Sequence, residues 1–360
     1  MDKLDVKSLP LGALESFLEK EGEPKFRAKQ LFEWLHKKHA ADFGMMTTLP
    51  AGLREVLEEK CYINLLKIKK KLVSAHDSTV KYLYELHDSN CIESVLMGYH
   101  HGNSLCVSTQ AGCRMGCGFC ASTRAGLERN LTASEMLGQV YRTEEDSGRP
   151  VSGVVLMGIG EPLDNYENVL DFLEILSSPH GRGMSLRHVS LSTCGLVDKM
   201  ELLAEKRLPL TLSVSLHAPD DATRSALMPV NNRWGVNELI DASKRYFDKT
   251  GRRVSFEYAL IDGVNDGDAA AVKLAGLLRG INCHVNLIPA NSVKGSGYSG
   301  SKAAPVKRFH RILTDAKINA TVRRRLGEDV NAACGQLRLE PVDTAAQQPG
   351  ISDNVGRRGF

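Results

Sequence analysis

From residue 104 onward the chain alternates short apolar, strand-like runs with helix-like segments. This alternation limits the fold more than any other feature. The runs are "LCVST" (105–109), "GVVLMG" (153–158), "HVSLST" (188–193), "LTLSVSLH" (210–217), "RVSFEYAL" (253–260) and "CHVNLIP" (283–289). Six βα repeats predict an α/β fold with a parallel sheet buried on both faces, curled into a partial barrel. In such folds ligands gather at the C-terminal ends of the strands. Between the first two runs lies "LTASEMLGQVY", where Thr132 and Glu135 have capping-box spacing at a helix start.

The segment before the barrel reads differently. Residues 8 to 61 are helical in pattern: Leu11, Leu14, Phe17 and Leu18 share one face, as do Ala28, Leu31, Phe32 and Leu35. "TVKYLYEL" (79–86) and "CIESVLMGY" (91–99) read as strands with a turn at "HDSN". The expected organisation is an N-terminal helical domain (1–65), a β-rich connector (66–103), the barrel with a C-terminal segment (104–340) and a loose polar tail (341–360). Hydrophobic content of 42% and charged content of 25% suit a globular chain with a sizeable core. The N-terminus carries Asp2, Asp5 and Glu15 where a signal peptide would be apolar. No apolar run approaches the about 18 residues of a membrane helix. A cytoplasmic protein without membrane contact is expected, and its nine cysteines should stay reduced there.

Three of those cysteines crowd into "CRMGCGFC" (113–120), spaced C-x3-C-x2-C. Clustered thiols in a reducing compartment point to ligands rather than disulfides. Structural zinc sites take four Cys or His ligands, often as two separated pairs. Here three lie in one loop after a predicted strand, and a fourth would have to come from His101, His217 or Cys194. Simple burial is disfavoured, because Gly112, Gly116 and Gly118 leave little to pack. An iron–sulfur cluster on Cys113, Cys117 and Cys120 fits the spacing better. Three cysteines on a four-iron cluster leave one iron open to a reactant.

Cys-x3-Cys-x2-Cys after the first barrel strand, with Phe119 before the last cysteine, resembles the radical S-adenosylmethionine (SAM) superfamily. Its members chelate SAM on the open iron and release a 5′-deoxyadenosyl radical. The resemblance narrows with "CVSTQAGCRMGCGFCASTRAGLERNLTASEMLGQV" (106–140), "VVLMGIGEPLDNYENV" (154–169), "LSTCG" (191–195), "SVSLHAP" (213–219), "VNLIPAN" (285–291) and "VNAACGQL" (330–337). Together these look like the bacterial RlmN family of adenine-C2 methyltransferases, and the match runs from the N-terminal helices to about residue 340. The family modifies one adenine of 23S rRNA and the adenine 3′ of the anticodon in some tRNAs.

The resemblance implies a 4Fe–4S cluster, two SAM per turnover and an unusual mechanism. Adenine C2 lies between two ring nitrogens and is too electron-poor to attack the methyl of SAM. A cysteine thiolate, a strong nucleophile, takes the methyl first. A radical then activates that S-methyl group, which adds to C2 as a covalent RNA–protein adduct. A second cysteine attacks the carrier sulfur, releases the RNA and leaves a disulfide. By motif, Cys334 matches the methyl carrier and Cys106 the resolving thiol. Gly160 and Glu161 match the strand end that binds the SAM amino group. Ser192, Ser215, Leu216 and His217 fall where SAM ribose and carboxylate are held, and Asn291 matches a further SAM-binding position. Glu93 is carried over as the acceptor of the C2 proton, with the Cys106 thiolate as the alternative base. Cys61, Cys91, Cys194 and Cys283 read as buried structural thiols.

A net charge of only +3 gives no general field for nucleic acid, so local clusters must bind it. Basic runs occur at Lys67, Lys69, Lys70 and Lys71, at Arg252 and Arg253, at Lys307, Arg308 and Arg311, and at Arg323, Arg324 and Arg325. Any such run can also be a solvated face. The family adds the N-terminal helices to RNA recognition, extrusion of the target base, a flavodoxin or ferredoxin as reductant, and a monomer. Two other functions use the same residues: the sister activity at adenine C8, and a non-catalytic RNA-binding protein with a structural metal.

Overall fold

The computed structural model describes residues 3–291, 296–332 and 335–337. The N-terminal part holds β1 (Leu4–Asp5), helices α1 (Leu11–Lys20), α2 (Phe26–His36) and α3 (Ala51–Lys60), and β2 (Cys61–Tyr62), which pairs in parallel with β1. Its helices form where the apolar periodicity places them. Leu14 and Leu18 of α1 and Ala28, Leu31, Phe32 and Leu35 of α2 are fully buried. Leu11 and Phe17 pack only at the margin of that core.

Four antiparallel strands follow: β3 (Lys67–Val73), β4 (Val80–Glu85), β5 (Cys91–Tyr99) and β6 (Gly102–Cys106). Two short paired strands, β7 (Gln110–Gly112) and β8 (Leu127–Asn130), come next, then helix α4 (Ala133–Ser147). The barrel continues through β9 (Val151–Leu156), α5 (Tyr166–Ser177), β10 (Val189–Thr193), α6 (Val197–Glu205), β11 (Thr211–Ser215), α7 (Asp221–Leu227), α8 (Val236–Thr250), β12 (Val254–Leu260), α9 (Asp268–Leu277), β13 (Cys283–Pro289), α10 (Ala303–Asp315) and β14 (Ala320–Val322). All six expected barrel strands are present, with ends shifted by a few residues. The seventh, β14, is only three residues long and leaves no periodicity to read.

These strands form one ten-stranded sheet in the order β14-β13-β12-β11-β10-β9-β6-β5-β4-β3. Pairing is parallel from β6 to β14 and antiparallel from β6 to β3. β6 is therefore the strand where a helix-wrapped parallel sheet changes into a hairpin sheet. At the far edge β3 carries Lys67, Lys69, Lys70 and Lys71 around Ile68 and Leu72, with a register shift between Ile68 and Lys70, and its lysines are exposed, which protects an edge strand from pairing with another chain.

α4 starts as the sequence predicts. Thr132 accepts from the Glu135 backbone, and the Glu135 carboxylate accepts from the Thr132 backbone at 3.0 Å. This reciprocal cap is worth about 1 kcal/mol. It also joins the two halves of the molecule. Asp5 accepts from Ser8 (2.7 Å), Thr132 (3.2 Å) and Ser134 (2.5 Å), so the N-terminal segment is fastened to the first turn of α4. No helix among the described residues is long and apolar enough to cross a membrane.

Candidate active site at the barrel mouth

The loop with the three cysteines is clamped at its base by the β7–β8 hairpin, where Cys113 N donates to Gly126 O at 2.7 Å. Gly112 makes that closure possible. Its φ is +81°, and a Cβ there would lie 2.1 Å from Gly126 O. The far side of the loop rests on α7, because Gly118 N donates to Leu227 O at 2.9 Å. A third anchor is the C-terminal segment: Ala121 N donates to Gly335 O at 2.9 Å and Ser122 Oγ to Leu337 O at 2.9 Å.

Held this way, Cys113, Cys117 and Cys120 line one open cavity of about 1100 Å3. The same cavity is lined by Gly160 and Glu161 after β9, Ser192 and Cys194 at β10, Ser215 and His217 at β11, Glu257 on β12, Asn291 after β13, and Gly335. The sequence-derived SAM-binding positions thus converge at the C-terminal ends of the strands. Leu216 is the exception. Its side chain is fully buried in the core, since strand alternation turns it away from Ser215 and His217. Only its backbone remains for the site.

Glu161 is buried, and burial raises its pKa. Its carboxylate accepts from Leu163 N at 3.1 Å and Cys194 N at 2.7 Å, which fixes the β9 and β10 strand ends together. Gly160, at φ +108°, passes so near Gln110 that a Cβ would lie 2.6 Å from the glutamine side chain. Gln110 accepts from Glu161 N at 2.9 Å and donates to Asn130 and Asp164. Arg114 in turn holds Asp164. One glutamine thus ties the cysteine hairpin to the glycine-rich loop.

His217 sits at φ +56°, and Ala259 N donates to its Nδ1 at 2.9 Å. That bond assigns the proton to Nε2. Burial, then the nearby Arg224, lowers its pKa to about 3, so the ring is neutral. Phe119 meets it edge-on, with ring centroids 5.0 Å apart. Burial pushes the Cys113 thiol up to about 12, and Cys117 higher still. Such thiols ionise when a metal's positive charge replaces the hydration that burial removes from the thiolate. Three thiols from one loop, at a cavity roomy enough for a reactant beside them, suit a cluster with an open iron. Among the described residues no three His, Cys, Asp or Glu side chains are arranged for a single metal ion.

Cys106 lines a second, smaller cavity of about 580 Å3 with Val95, Met97, Tyr99, Leu326 and Arg323, Arg324 and Arg325. Met157, Ile288, Asn291 and Arg323 border both cavities, so the two share a wall. Glu93 lines neither. It is buried on β5, on the same face as Val95 and Met97, and paired with Lys81 at 3.0 Å. Cys334 lies outside the described residues, as does the tail from residue 338; the residue after Cys334, Gly335, borders the larger cavity.

Several residues that line or brace the cavity carry no sequence signal. Glu257 projects into the larger cavity, accepting from Asn286 at 2.7 Å and Ser255 at 3.3 Å, and burial raises its pKa. Gln110, Asp164 and Arg224 act through tertiary contacts. Cys194, read as structural, lines the cavity as well. The basic runs are partly spent on ion pairs: Lys69 with Glu85, Lys71 with Asp146, Arg308 with Asp268 and Arg325 with Glu328. Exposed pairs of this kind are worth little in stability.

The fold, the cysteine loop and the strand-end cavity are those of a radical SAM protein. The Radical SAM superfamily matches residues 107–275, and the ribosomal RNA large subunit methyltransferase N-terminal domain matches residues 4–63. A probable dual-specificity RNA methyltransferase RlmN of Lachnoclostridium phytofermentans is 49% identical over 347 residues, 96% of this chain and 98% of that protein. Its counterpart in Alkaliphilus oremlandii is 50% identical over 338 residues, 94% and 98% of the two chains. A radical SAM methyltransferase from Sphaerobacter thermophilus has a crystal structure that superposes with a TM-score of 0.88 at 43% identity, over 93% of this chain and 99% of that one. The chain belongs to the RlmN family of dual-specificity RNA methyltransferases. The cofactors of this superfamily are a 4Fe–4S cluster and SAM.

Proposed function

We propose that this chain methylates C2 of one adenine in 23S rRNA, at the peptidyl-transferase centre, and of the adenine 3′ of the anticodon in some tRNAs. The observation that carries the reading is the convergence on one cavity of the cysteine triad, the Gly160–Glu161 turn and Gly335. In this reading Cys113, Cys117 and Cys120 hold the cluster. Bound there with SAM, the cluster supplies the carbon radical that activates an otherwise inert methyl group. Glu161 and the backbone at Gly160 take the SAM amino group. Ser192, Ser215, Asn291 and the Nε2 proton of neutral His217 hold its ribose and carboxylate, and Leu216 contributes backbone alone.

Cys334 carries the methyl group as S-methylcysteine and becomes linked through it to adenine C2. Cys106 attacks the Cys334 sulfur as a thiolate, the carbon–sulfur bond breaks with its electron pair going to the adenine-bound methylene, which takes up a proton to become the methyl group, and a Cys106–Cys334 disulfide remains. The C2 proton passes to Glu93 or to Cys106. Glu93 must leave its pairing with Lys81 to act, and Cys106 stands nearer the shared wall. Arg323, Arg324 and Arg325 at the smaller cavity suit the phosphates flanking an extruded base. The exposed faces of the N-terminal helices extend that RNA surface. The enzyme works in the cytoplasm as a monomer, with a flavodoxin or ferredoxin as electron donor.

The test is Cys334→Ala. The variant should keep the cluster's visible absorption and cleave SAM, yet transfer no methyl to RNA. Full methylation by this variant would overturn the carrier mechanism.

A further inference from the structure

Arg224 on α7 is a charged side chain with 0% exposure. Its Nε donates to Leu216 O (3.0 Å), one Nη to Asn231 Oδ1 (2.9 Å), and the other to Cys194 O (2.7 Å) and Ser215 O (3.1 Å). All four acceptors are neutral oxygens. Asp221, a carboxylate close enough to be felt, turns its Oδ1 to Asn231 and Val236 N instead. A buried guanidinium without a carboxylate bound to it is costly unless something else offsets the charge.

The offset lies toward the cysteine loop. Leu227, at the end of the same helix, accepts from Gly118 N between Cys117 and Cys120. Cys194, whose carbonyl Arg224 holds, lines the cavity of the cysteine triad. Arg224 thus stands behind the cavity wall that Cys194 forms, on the helix whose end holds the cysteine loop. A 4Fe–4S cluster on three thiolates is net negative, and reduction adds another negative charge. A fixed cation in a low-dielectric site favours the reduced form over the oxidised one.

We propose that Arg224 is a positioning cation that raises the reduction potential of the cluster on Cys113, Cys117 and Cys120, easing the electron transfer that starts catalysis. The proposal rests on the cluster assignment made under Proposed function. The simpler alternative is a clamp that holds the β10 and β11 strand ends and nothing more.

The test is an anaerobic redox titration of reconstituted holoenzyme, read by visible absorption and by the spin signal of the reduced cluster. Three variants separate charge from clamping. Arg224→Lys keeps the charge and loses the fork. Arg224→Gln removes the charge. Asn231→Asp, made together with Asp221→Asn so that the amide–carboxylate hydrogen bond survives with its partners exchanged, keeps Arg224 and sets a carboxylate against it. At a fixed solution potential, the reduced-to-oxidised ratio should fall about tenfold in Arg224→Gln and in the double variant, which is ~59 mV for one electron. Arg224→Lys should stay close to wild type. Equal shifts in Lys and Gln, or no shift in the double variant, would overturn the proposal. If Arg224→Gln cannot hold a cluster, the double-variant result decides alone. A wild-type chain that takes up no cluster would instead refute the cluster assignment, and this inference with it.

Discussion

The two cavities at the barrel mouth are neighbours built on opposite principles. The larger one gathers groups that are expensive to bury: Glu161, Glu257, His217 and three thiols, with Arg224 behind them. The smaller one is walled mainly by Val95, Met97, Met157, Ile288 and Leu326 around Cys106, with arginines at its rim. The first is paid for in folding stability and suits charge and electron chemistry. The second is an apolar recess around a buried thiol. Between them stand Met157, Ile288, Asn291 and Arg323, which border both.

The largest effect is expected in the larger cavity. Cys117→Ala should remove the visible absorption of the reconstituted cluster and bring methylation to background, with no RNA–protein adduct on a denaturing gel. Cys106→Ala, in the smaller cavity, should behave differently. It keeps the cluster and cleaves SAM, but turnover stops after the first round because the adduct cannot be resolved, and that adduct should be visible on the gel. Identical behaviour of the two variants would erase the division of labour.

Gly160→Ala tests the seam that joins the cysteine hairpin to the glycine-rich loop. The new Cβ meets Gln110 at a φ that disfavours side chains. A stability loss of about 1–3 kcal/mol is expected by urea unfolding, with a KM for SAM raised on the order of tenfold. An unchanged KM would separate Glu161 from SAM binding. The smallest effect concerns acid stability. His217 has a folded pKa of about 3, below its ordinary 6.5. The unfolded chain therefore binds the extra proton between those values, and stability falls as pH drops through that window. His217→Asn suits the positive φ and should lessen the stability loss between pH 7 and pH 4. An undiminished loss would mean that other buried groups of the larger cavity set the acid limit.

The parts of this arrangement that were legible in the sequence are those encoded locally. The barrel strands appear as apolar runs, the α4 start as a four-residue cap, and the cluster loop as three cysteines in eight residues. The clamps were not legible. Gln110 reaches Glu161 across 51 positions, and Arg224 reaches Cys194 across 30. Nothing in their neighbourhoods marks them, because their roles arise only when strand ends meet. The β7 and β8 strands are too short to show alternation, although they close the cysteine loop. At Leu216 only the backbone faces the site: its neighbours on either side line the cavity, and the pleat sends its side chain into the core. The lysine run at 67–71 reads as an RNA surface, but two of its lysines are committed to Glu85 and Asp146 on a sheet edge.

The most direct measurement is methyl mapping after anaerobic reconstitution with iron and sulfide, using SAM and an rRNA fragment. 5′-Deoxyadenosine should form, and mass spectrometry of the digested RNA should place the new methyl on adenine C2. A methyl on C8, or RNA methylated without any 5′-deoxyadenosine, would contradict it.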